Sequence, residues 1–269
     1  MSEIGFIGVG NMGGALAEAV CKKIGAENVC VSDYSAEKAE AFAEKFGCRA
    51  VDNGTIASEA KFIFLGVKPQ VLPSVAESLR SALAERTGDF VLVTMAAGIS
   101  IASLEGMLGM RAPIIRIMPN TPVAVGEGMI LYTANEAVSA NDLDRFIDAL
   151  SLAGKTDAIE EKLIDAASVI SGCGPAFMYM FLEAMVQAGE KLGLDGEQAR
   201  VYAQQTMVGA ATLAASSPET LETLRVRVCS PGGSTIEGVK KFQSLGLSDT
   251  VAEALGASHR RTLELGKNN

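Results

Sequence analysis

The chain has 269 residues, 48% of them hydrophobic and 20% charged, and its formal net charge is −9 at pH 7. This length accommodates two domains with sizeable cores, and the net negative charge argues against binding to nucleic acid or to an anionic membrane surface. The five cysteines and the one histidine, His259, lack the spacing of a metal or redox motif, so we predict no metal site and reduced thiols.

The sequence predicts neither a secreted nor a membrane protein. Ser2 and Glu3 precede the first apolar run directly, without the pattern of a secretory signal, and we expect a cytoplasmic protein. The longest uncharged runs, 166–182 and 201–218, contain glycine, proline and polar residues. They therefore predict buried helices and not membrane spans.

The first predicted strand and helix enclose a glycine-rich turn. The apolar run 4–9 contains the start of the pattern Gly8-x-Gly10-x-x-Gly13, and residues 15–20 have helical composition. In this context one glycine makes the turn, one admits a pyrophosphate and one lets helix and strand pack closely, while the N–H groups of the helix face the phosphates. The acidic residue Asp33 follows Gly13 by twenty positions. The pattern predicts dinucleotide binding, with an ordinary structural turn as the alternative.

The rest of the first half alternates between strands and helices. Strands are predicted at 29–32, 49–51, 62–67, 90–95, 114–117, 129–132 and 156–159, and helices at 36–46, 72–85, 101–107 and 140–150. Parallel strands with crossover helices form a doubly wound sheet, whose ligands bind beyond the carboxyl ends of the strands. Candidate residues at those ends are Asn11, Asp33, Lys68-Pro69, Ala96–Gly98 and Pro119–Thr121, although prolines and glycines also end strands for structural reasons alone.

From about residue 160 the strand patterns end and helices dominate. Helices are predicted at 161–169, 175–192, 196–215, 219–227, 235–244 and 249–265. The second and third of these are apolar on nearly every face, and a segment of about 110 residues cannot bury two such helices alone. We therefore predict a dinucleotide-binding domain at 1–159, a helical domain at 160–269, and a homodimer in which a second subunit covers these helices.

A second candidate site opens one of the later helices. In Ser230-Pro231-Gly232-Gly233-Ser234-Thr235 the proline and glycines form a turn with exposed backbone N–H groups, and hydroxyl groups lie beside them. Such a helix start suits a carboxylate. A plain capped turn is the alternative.

Six motifs, spread over almost the whole chain, occur in an order typical of one enzyme family. They are residues 5–13 (Gly-Phe-Ile-Gly-x-Gly-Asn-Met-Gly), Val67-Lys68-Pro69, Ala96-Ala97-Gly98, Arg116-x-Met118-Pro119-Asn120-Thr121-Pro122, Ser171-Gly172-x-Gly174-Pro175-Ala176 and Cys229-Ser230-Pro231-Gly232-Gly233-x-Thr235. In these motifs the chain resembles pyrroline-5-carboxylate reductase, the enzyme of the last step of proline biosynthesis. The resemblance implies a Rossmann-type sheet followed by an all-helical dimerisation domain, and NAD(P)H-dependent reduction of 1-pyrroline-5-carboxylate to L-proline. It also agrees with a homodimer, and we expect further assembly into a ring of dimers such as a decamer.

The motifs and the resemblance together imply the residues of the site. The expected cofactor contacts are Gly8, Gly10, Asn11, Met12, Gly13, Ser32, Asp33, Asn53, Val67, Lys68, Pro69, Ala96, Ala97 and Gly98. The expected substrate contacts are Asn120, Ser230, Gly232, Gly233, Ser234 and Thr235. The family places the hydroxyl of Thr235 near the ring nitrogen, so Thr235 is the implied catalytic residue.

The chemistry of a cyclic imine agrees with the scarcity of acid–base residues. A protonated C=N carbon accepts hydride readily, and alignment alone contributes roughly 7–11 kcal/mol. A β-hydroxyacid dehydrogenase is the nearest rival, but such enzymes need a lysine to take the hydroxyl proton, and none occurs in the two turns after Gly174. A dinucleotide-sensing regulatory protein is a rival of another class, and it leaves the turn at 230–235 unexplained.

The second strand bears on the choice between NADH and NADPH. Relatives mostly prefer NADPH and many have a basic residue just after this strand, whereas here the acid Asp33 occupies that position. A carboxylate accepts hydrogen bonds from the ribose hydroxyls of NADH and repels a 2′-phosphate by about 1–4 kcal/mol. We expect both cofactors to work, with NADH used better than in typical relatives. Alternatively, Asp33 turns outward and caps the next helix.

Overall fold

The computed structural model describes residues 3–267, with side chains described through Glu264. The strands are β1 (Ile4–Ile7), β2 (Val29–Ser32), β3 (Arg49–Ala50), β4 (Phe62–Leu65), β5 (Val91–Thr94), β6 (Ile114–Met118), β7 (Gly128–Ala134) and β8 (Gly154–Ala158). The helices are α1 (Asn11–Ile24), α2 (Ala36–Phe46), α3 (Asn53–Glu59), α4 (Leu72–Ala84), α5 (Ile101–Leu108), α6 (Ala140–Ala149), α7 (Glu161–Ser171), α8 (Gly174–Lys191), α9 (Gly196–Ser216), α10 (Leu221–Val228), α11 (Ser234–Ser244) and α12 (Leu247–Lys267).

In the described part of the chain, the strands form one sheet in the order β3-β2-β1-β4-β5-β6-β7-β8. The strand order reverses between β1 and β4, as expected of a doubly wound sheet. The expectation that all strands run parallel is wrong for β7, which pairs antiparallel with β6, while β8 runs parallel to β7. The short segment between β6 and β7, which contains a 3-10 helix at Thr121–Val125, explains this direction. A parallel crossover needs a dozen or more residues, usually including a helix.

The central strands are buried on both faces, which explains why they appear in the sequence as continuous apolar runs. Every residue of β1, β2, β4 and β5 is buried. One core cluster contains Phe6, Phe64 and Phe146 together with the inner face of α1, and a second contains Leu65, Leu79 and Leu104 on the other face of the sheet. Helices thus cover both faces and leave the carboxyl ends of the strands accessible.

The described residues divide into two compact units. The first consists of the described residues up to Cys173 and those from Ser258 onward, and the second is Gly174–Ala257. The first unit thus contains the whole sheet, α7 and the last part of α12, and the second contains α8 to α11 and the first half of α12. The division into a dinucleotide-binding domain at 1–159 and a helical domain at 160–269 remains a prediction.

Candidate active site

The glycine loop has the geometry that a bound pyrophosphate requires. Gly8 has a φ of +99°, in the left-handed region, and its N–H donates to the carbonyl of Ser32 at 2.8 Å. A Cβ on Gly13 would overlap the carbonyl oxygen of Gly8, whereas a Cβ on Gly10 would meet nothing within 4 Å. The N-terminus of α1 has no side-chain cap, so no side chain accepts from its first N–H groups. Close strand–helix packing, open space at Gly10 and free donors fit an anionic dinucleotide.

Asp33 fastens the glycine loop to the end of β2. Its Oδ2 accepts the backbone N–H of Val9 at 3.0 Å and its Oδ1 accepts that of Ser35 at 3.2 Å. Lys38 forms an ion pair with the same carboxylate at 3.6 Å, and the Asp33 side chain is only 14% exposed. The N-cap of α2 is Ser35, whose hydroxyl accepts from Lys38 N–H. Asp33 therefore does not serve as the N-cap of α2.

A cavity of about 560 Å³ lies beside Asp33 at the carboxyl ends of β2 and β3. Its lining combines small side chains with polar ones: Ser32, Asp33, Ala36, Ala39, Glu40, Ala50, Val51, Asp52, Asn53, Gly54 and Ser78. The charged residues in this set are all acidic. Three of the predicted cofactor residues, Ser32, Asp33 and Asn53, thus come together around one cavity.

Hydrogen bonds fix the polar wall of this cavity. The hydroxyl of buried Ser32 donates to Oδ1 of Asn53 at 2.6 Å, so the Asn53 oxygen is engaged by the protein. Asp52 caps α3 by accepting from the N–H of Thr55 at 2.8 Å and from its hydroxyl at 2.9 Å. These hydrogen bonds lower the pKa of the Asp52 carboxyl. A negative charge therefore persists on this wall at neutral pH.

The other predicted cofactor residues follow β4 and β5 at the same edge of the sheet. Ile7, Leu65 and Thr94 are paired in register across β1, β4 and β5, so the segments after them leave the sheet side by side. Val67 and Pro69 are half-buried, and Lys68 is exposed. After β5, Ala96 is buried, Ala97 is exposed and Gly98 is half-buried with a φ of +75°.

Asn120 lies at the end of β6, and its amide is engaged by the backbone of the first unit. Its Nδ2 donates to the carbonyl of Ser171 at 2.9 Å, and its Oδ1 accepts the N–H of Met129 at 2.8 Å. Its exposure is 8%. These bonds connect the end of β6 to the start of β7 and to the last residue of α7.

Arg116, four residues earlier and inside β6, attaches the same strand to the body of α7. Its guanidinium lies 2.7 Å from Asp165 and 3.4 Å from Glu161, and it is 4% exposed. Glu161 also accepts the backbone N–H of Ile101 at 2.8 Å. The RxMPN motif therefore has a structural function in the first unit, because both of its polar side chains hold α7 against the sheet.

The hydroxyl-rich turn lies in the second unit and opens α11. Gly232 has a φ of +72°, and Gly233 N–H donates to the carbonyl of Ser230 at 3.0 Å. Helix α11 begins at Ser234, and its N-cap Gly233 supplies no side-chain hydrogen bond to the first turn. Ser230, Ser234 and Thr235 are exposed. N–H groups at an uncapped helix start, with three exposed hydroxyls beside them, have the chemistry to bind a carboxylate.

Sequence reasoning missed Glu40 and Asp52, the two other acids of the cavity. Glu40 follows Ala36 by four residues in α2, so helical periodicity alone places it on the face that carries Ala36. Asp52 is the N-cap of α3, a short helix that the sequence analysis did not predict. Both residues would have been found by extending the site to the neighbours of Asp33 and Asn53.

Two family models match the chain. One, described as "Pyrroline-5-carboxylate reductase dimerisation", matches residues 161–265. The other, described as "NADP oxidoreductase coenzyme F420-dependent", matches residues 3–98. The matches cover the helical half and most of the sheet with the glycine loop.

Full-length relatives agree with both matches. A pyrroline-5-carboxylate reductase of Pseudomonas aeruginosa is 38% identical, over 98% of this chain and 97% of the relative. The solved structure of a pyrroline-5-carboxylate reductase from Coxiella burnetii matches with a TM-score of 0.91 at 32% identity, covering 98% of each chain. A pyrroline carboxylate reductase of Plasmodium falciparum, solved with NADP bound, matches with a TM-score of 0.87 at 30% identity, covering 98% of each chain.

Proposed function

Because the chain belongs to the pyrroline-5-carboxylate reductase family and reduces 1-pyrroline-5-carboxylate to L-proline in proline biosynthesis, we propose a division of roles between its two units. The glycine loop and the adjoining strand ends of the first unit hold the nicotinamide cofactor. The turn at 230–235 in the second unit holds the substrate. The uncapped start of α11, with its exposed hydroxyls, is the observation that carries this assignment.

The cofactor, when bound, supplies the hydride that reduces the imine carbon. The residues of this chain bind the cofactor and the substrate and orient them toward each other. N–H groups at the start of α1 would receive the pyrophosphate beside Gly10, where an added Cβ would meet no atom beyond the adjoining backbone within 4 Å. The cavity with Ser32, Asp33 and Asn53 would receive the adenosine end.

The substrate carboxylate would accept hydrogen bonds from the first N–H groups of α11 and from the hydroxyls of Ser230 and Ser234. Gly232 and Gly233 shape the turn so that the backbone approaches the ligand. Thr235 would hydrogen-bond the ring nitrogen and orient the imine for hydride transfer. Asn120, whose amide is bonded to the backbone at both ends, would act on the substrate side by positioning the end of α7.

Turnover is tested by the loss of nicotinamide absorbance on adding 1-pyrroline-5-carboxylate. Thr235→Ala is expected to lower kcat/KM by about 1–3 kcal/mol, which is roughly 5- to 150-fold. Thr250→Ala is the matched control, because Thr250 is also exposed and lies near the start of the next helix of the same unit. Equal kinetics of wild type and Thr235→Ala would remove Thr235 from the site.

We propose that this protein uses NADH appreciably as well as NADPH. A 2′-phosphate in the cavity proposed for the adenosine end would face the carboxylates of Asp33, Glu40 and Asp52. The residues that line this cavity include no cation. Lys38 compensates part of the charge of Asp33 across 3.6 Å. The repulsion is therefore expected at the low end of its range, about 1 kcal/mol or roughly fivefold in affinity.

The preference is tested by kcat/KM for both cofactors in wild type and variants. Asp33→Asn should shift the ratio toward NADPH by about 5–10-fold, and Glu40→Gln should shift it less in the same direction. Glu37→Gln removes the same charge from α2 at a position outside the cavity, and it is the control. An unchanged ratio in Asp33→Asn, or an equal shift in Glu37→Gln, would contradict the proposed ribose contact.

We propose a homodimer built through α8 and α9, with further assembly into a ring of dimers such as a decamer. Residues 161–265 match the dimerisation family, and these helices expose many large apolar side chains: Met178, Tyr179, Met180, Phe181, Met185, Val201, Tyr202, Val208 and Leu213. A patch of this extent is typical of a subunit interface. The proposed domains are a dinucleotide-binding domain at residues 1–159 and a helical domain at residues 160–269.

One stretch, Glu161–Lys191, is long and apolar enough to cross a membrane by length and composition alone, and little of it is buried. It lies inside the dimerisation match, so a partner subunit accounts for its exposed surface. Together with membership of a soluble enzyme family, this supports a cytoplasmic location.

The oligomer is tested by light scattering at the working concentration. Met180→Glu, at a side chain 65% exposed in the single chain, is expected to dissociate the dimer, because it would bury a charge in the interface. Val125→Glu, at a side chain 77% exposed in the first unit, should leave the dimer intact. An active wild-type monomer would refute the proposal.

A further inference from the structure

Tyr34 is a fully exposed aromatic residue beside the cavity proposed for the adenosine end. Its relative exposure is 106%, so its ring packs against almost none of the protein. It follows Asp33 directly after β2, and both Asp33 and Ala36 line the cavity. Tyr34 therefore lies at the edge of this cavity, between two residues of its lining. The cofactor contacts expected from the sequence do not include it.

Hydrogen bonds fix the backbone on both sides of Tyr34. Oδ2 of Asp33 accepts the N–H of Val9 at 3.0 Å, and Oδ1 accepts that of Ser35 at 3.2 Å. Ser35 is the N-cap of α2, where its hydroxyl accepts from the N–H of Lys38. The side chain is not held in this way, and exposed side chains change rotamer within picoseconds to nanoseconds. The ring of Tyr34 can therefore turn toward a ligand in the cavity without giving up buried surface.

The composition of the cavity gives an aromatic ring a function at this edge. Among the described residues that line the cavity the charged ones are all acidic, and none is aromatic. Adenine is the uncharged, planar part of the cofactor, and aromatic side chains bind a base by stacking on its π-face. Carboxylates cannot make that contact. A ring from the edge of the cavity would supply it.

We propose that Tyr34 is a cofactor-binding residue whose ring stacks on the adenine of NADH or NADPH. This inference rests on the proposed function, in which the cavity receives the adenosine end of the cofactor. The phenol ring, unlike an arginine or lysine side chain, offers no positive charge to a 2′-phosphate. Tyr34 therefore strengthens the binding of both cofactors equally, while Asp33 affects the preference between them.

Binding of ADP-ribose to the full-length protein, measured by titration calorimetry, tests the contact without turnover. ADP-ribose contains the adenosine and the pyrophosphate but no nicotinamide. Tyr34→Ala is expected to weaken its binding by about 5- to 30-fold, and Tyr34→Phe, which retains a ring, by less than about twofold. Leu152→Ala is the control, because it truncates another exposed side chain of the first unit outside this cavity. Since Tyr34 is fully exposed, Tyr34→Ala should keep the wild-type melting temperature.

NAD⁺ and NADP⁺ distinguish the role of Tyr34 from that of Asp33. Both contain adenine, so Tyr34→Ala should weaken the binding of both by the same factor. Asp33→Asn should change the ratio of the two affinities. A changed ratio in Tyr34→Ala, with binding of ADP-ribose unaltered, would overturn the proposal.

Tyrosine fluorescence reports the stacking itself, because the chain has four tyrosines and no tryptophan. ADP-ribose should quench part of the emission of the wild type. Tyr34→Phe should still bind ADP-ribose but lose this quenching, whereas Tyr202→Phe, which removes a tyrosine of the second unit, should keep it. Undiminished quenching in Tyr34→Phe would contradict a stacked Tyr34.

The calorimetry separates this proposal from the cofactor assignment. Wild-type affinity for ADP-ribose in Tyr34→Ala would overturn the role of Tyr34 and leave the cofactor site in place. Failure of the wild type to bind ADP-ribose would overturn the cofactor assignment of the first unit, and the role of Tyr34 with it.

Discussion

Replacement of Gly13 by alanine is expected to impair both the stability of the first unit and cofactor binding. A Cβ at this position would overlap the carbonyl oxygen of Gly8 and come within 3.6 Å of the Cα of Gly66. Both neighbours are backbone, so no side chain can rotate away. Overpacking of this kind costs about 1–3 kcal/mol. For a domain of this size the melting temperature would fall by roughly 2–12 °C.

Gly10→Ala separates binding from stability. Gly10 is the N-cap of α1, with an extended backbone (φ −65°, ψ −172°) that any residue can adopt, and an added Cβ meets nothing within 4 Å. Its cost in the free energy of unfolding should stay below about 1 kcal/mol. The methyl group would occupy the space proposed for the pyrophosphate, so the KM for NADH should rise about tenfold or more, equivalent to about 1.4 kcal/mol.

Gly106→Ala is the control for the substitution itself. Gly106 lies inside α5, away from the glycine loop, and an added Cβ meets nothing within 4 Å. Alanine there should raise the free energy of unfolding by about 0.5–1 kcal/mol and leave KM unchanged. The assays are thermal unfolding followed by circular dichroism, and steady-state KM for NADH. A wild-type melting temperature in Gly13→Ala, or a wild-type KM in Gly10→Ala, would refute this interpretation of the loop.

Three further predictions concern the remaining parts of the chain. In the variant Thr235→Ala, the loss should appear in kcat more than in KM, because the proposed hydrogen bond orients the imine for transfer; a change confined to KM would contradict it. Arg116→Met should lower the free energy of unfolding in urea by about 3 kcal/mol, because Asp165 loses the partner 2.7 Å away, whereas Arg116→Met combined with Asp165→Leu should recover part of the loss. Burial raises the pKa of Asp142, but hydrogen bonds from Lys61 and Ser139 outweigh burial and hold the pKa below its ordinary value. The lowered pKa stabilises the folded state. This stabilisation is fully present above the pKa of an ordinary aspartate, and it is lost as the pH falls through the lowered pKa of Asp142. Lys61→Met should therefore start acid unfolding at a higher pH, and identical acid unfolding curves would refute the pairing.

The local pattern of the chain was sufficient for the main elements of the first unit. The bounds of β2 and α2 are those expected from their apolar spacing and from the Ser and Gly residues that flank α2. Parallel strands covered on both faces must be apolar throughout, so β1 and β4 were visible as runs. Helix α3 was missed because its first turn is polar and it is only seven residues long. The glycine loop was found because its spacing, and not its neighbours in space, defines it.

The direction of β7 was beyond local patterns. Its side chains alternate between the two faces of the sheet whichever direction the strand runs. The short connection from β6 is the feature that sets its antiparallel direction. Helix α10 is a similar case at smaller scale. It was expected from residue 219, but it begins at Leu221, because the hydroxyl of Thr220 accepts the N–H of Thr223 and makes Thr220 the N-cap.

The sequence by itself determined which residue types stand at the proposed cofactor and substrate sites, because those types and spacings follow from the chemistry of phosphate, ribose and carboxylate. Only the tertiary structure decided how the side chains are used. Asp33 is bonded to Val9, twenty-four residues away in the chain, and Asn120 to Ser171, fifty-one residues away. Hydrogen bonds act over about 3 Å in space, and sequence separation carries no information about such distances until the fold brings the two segments together.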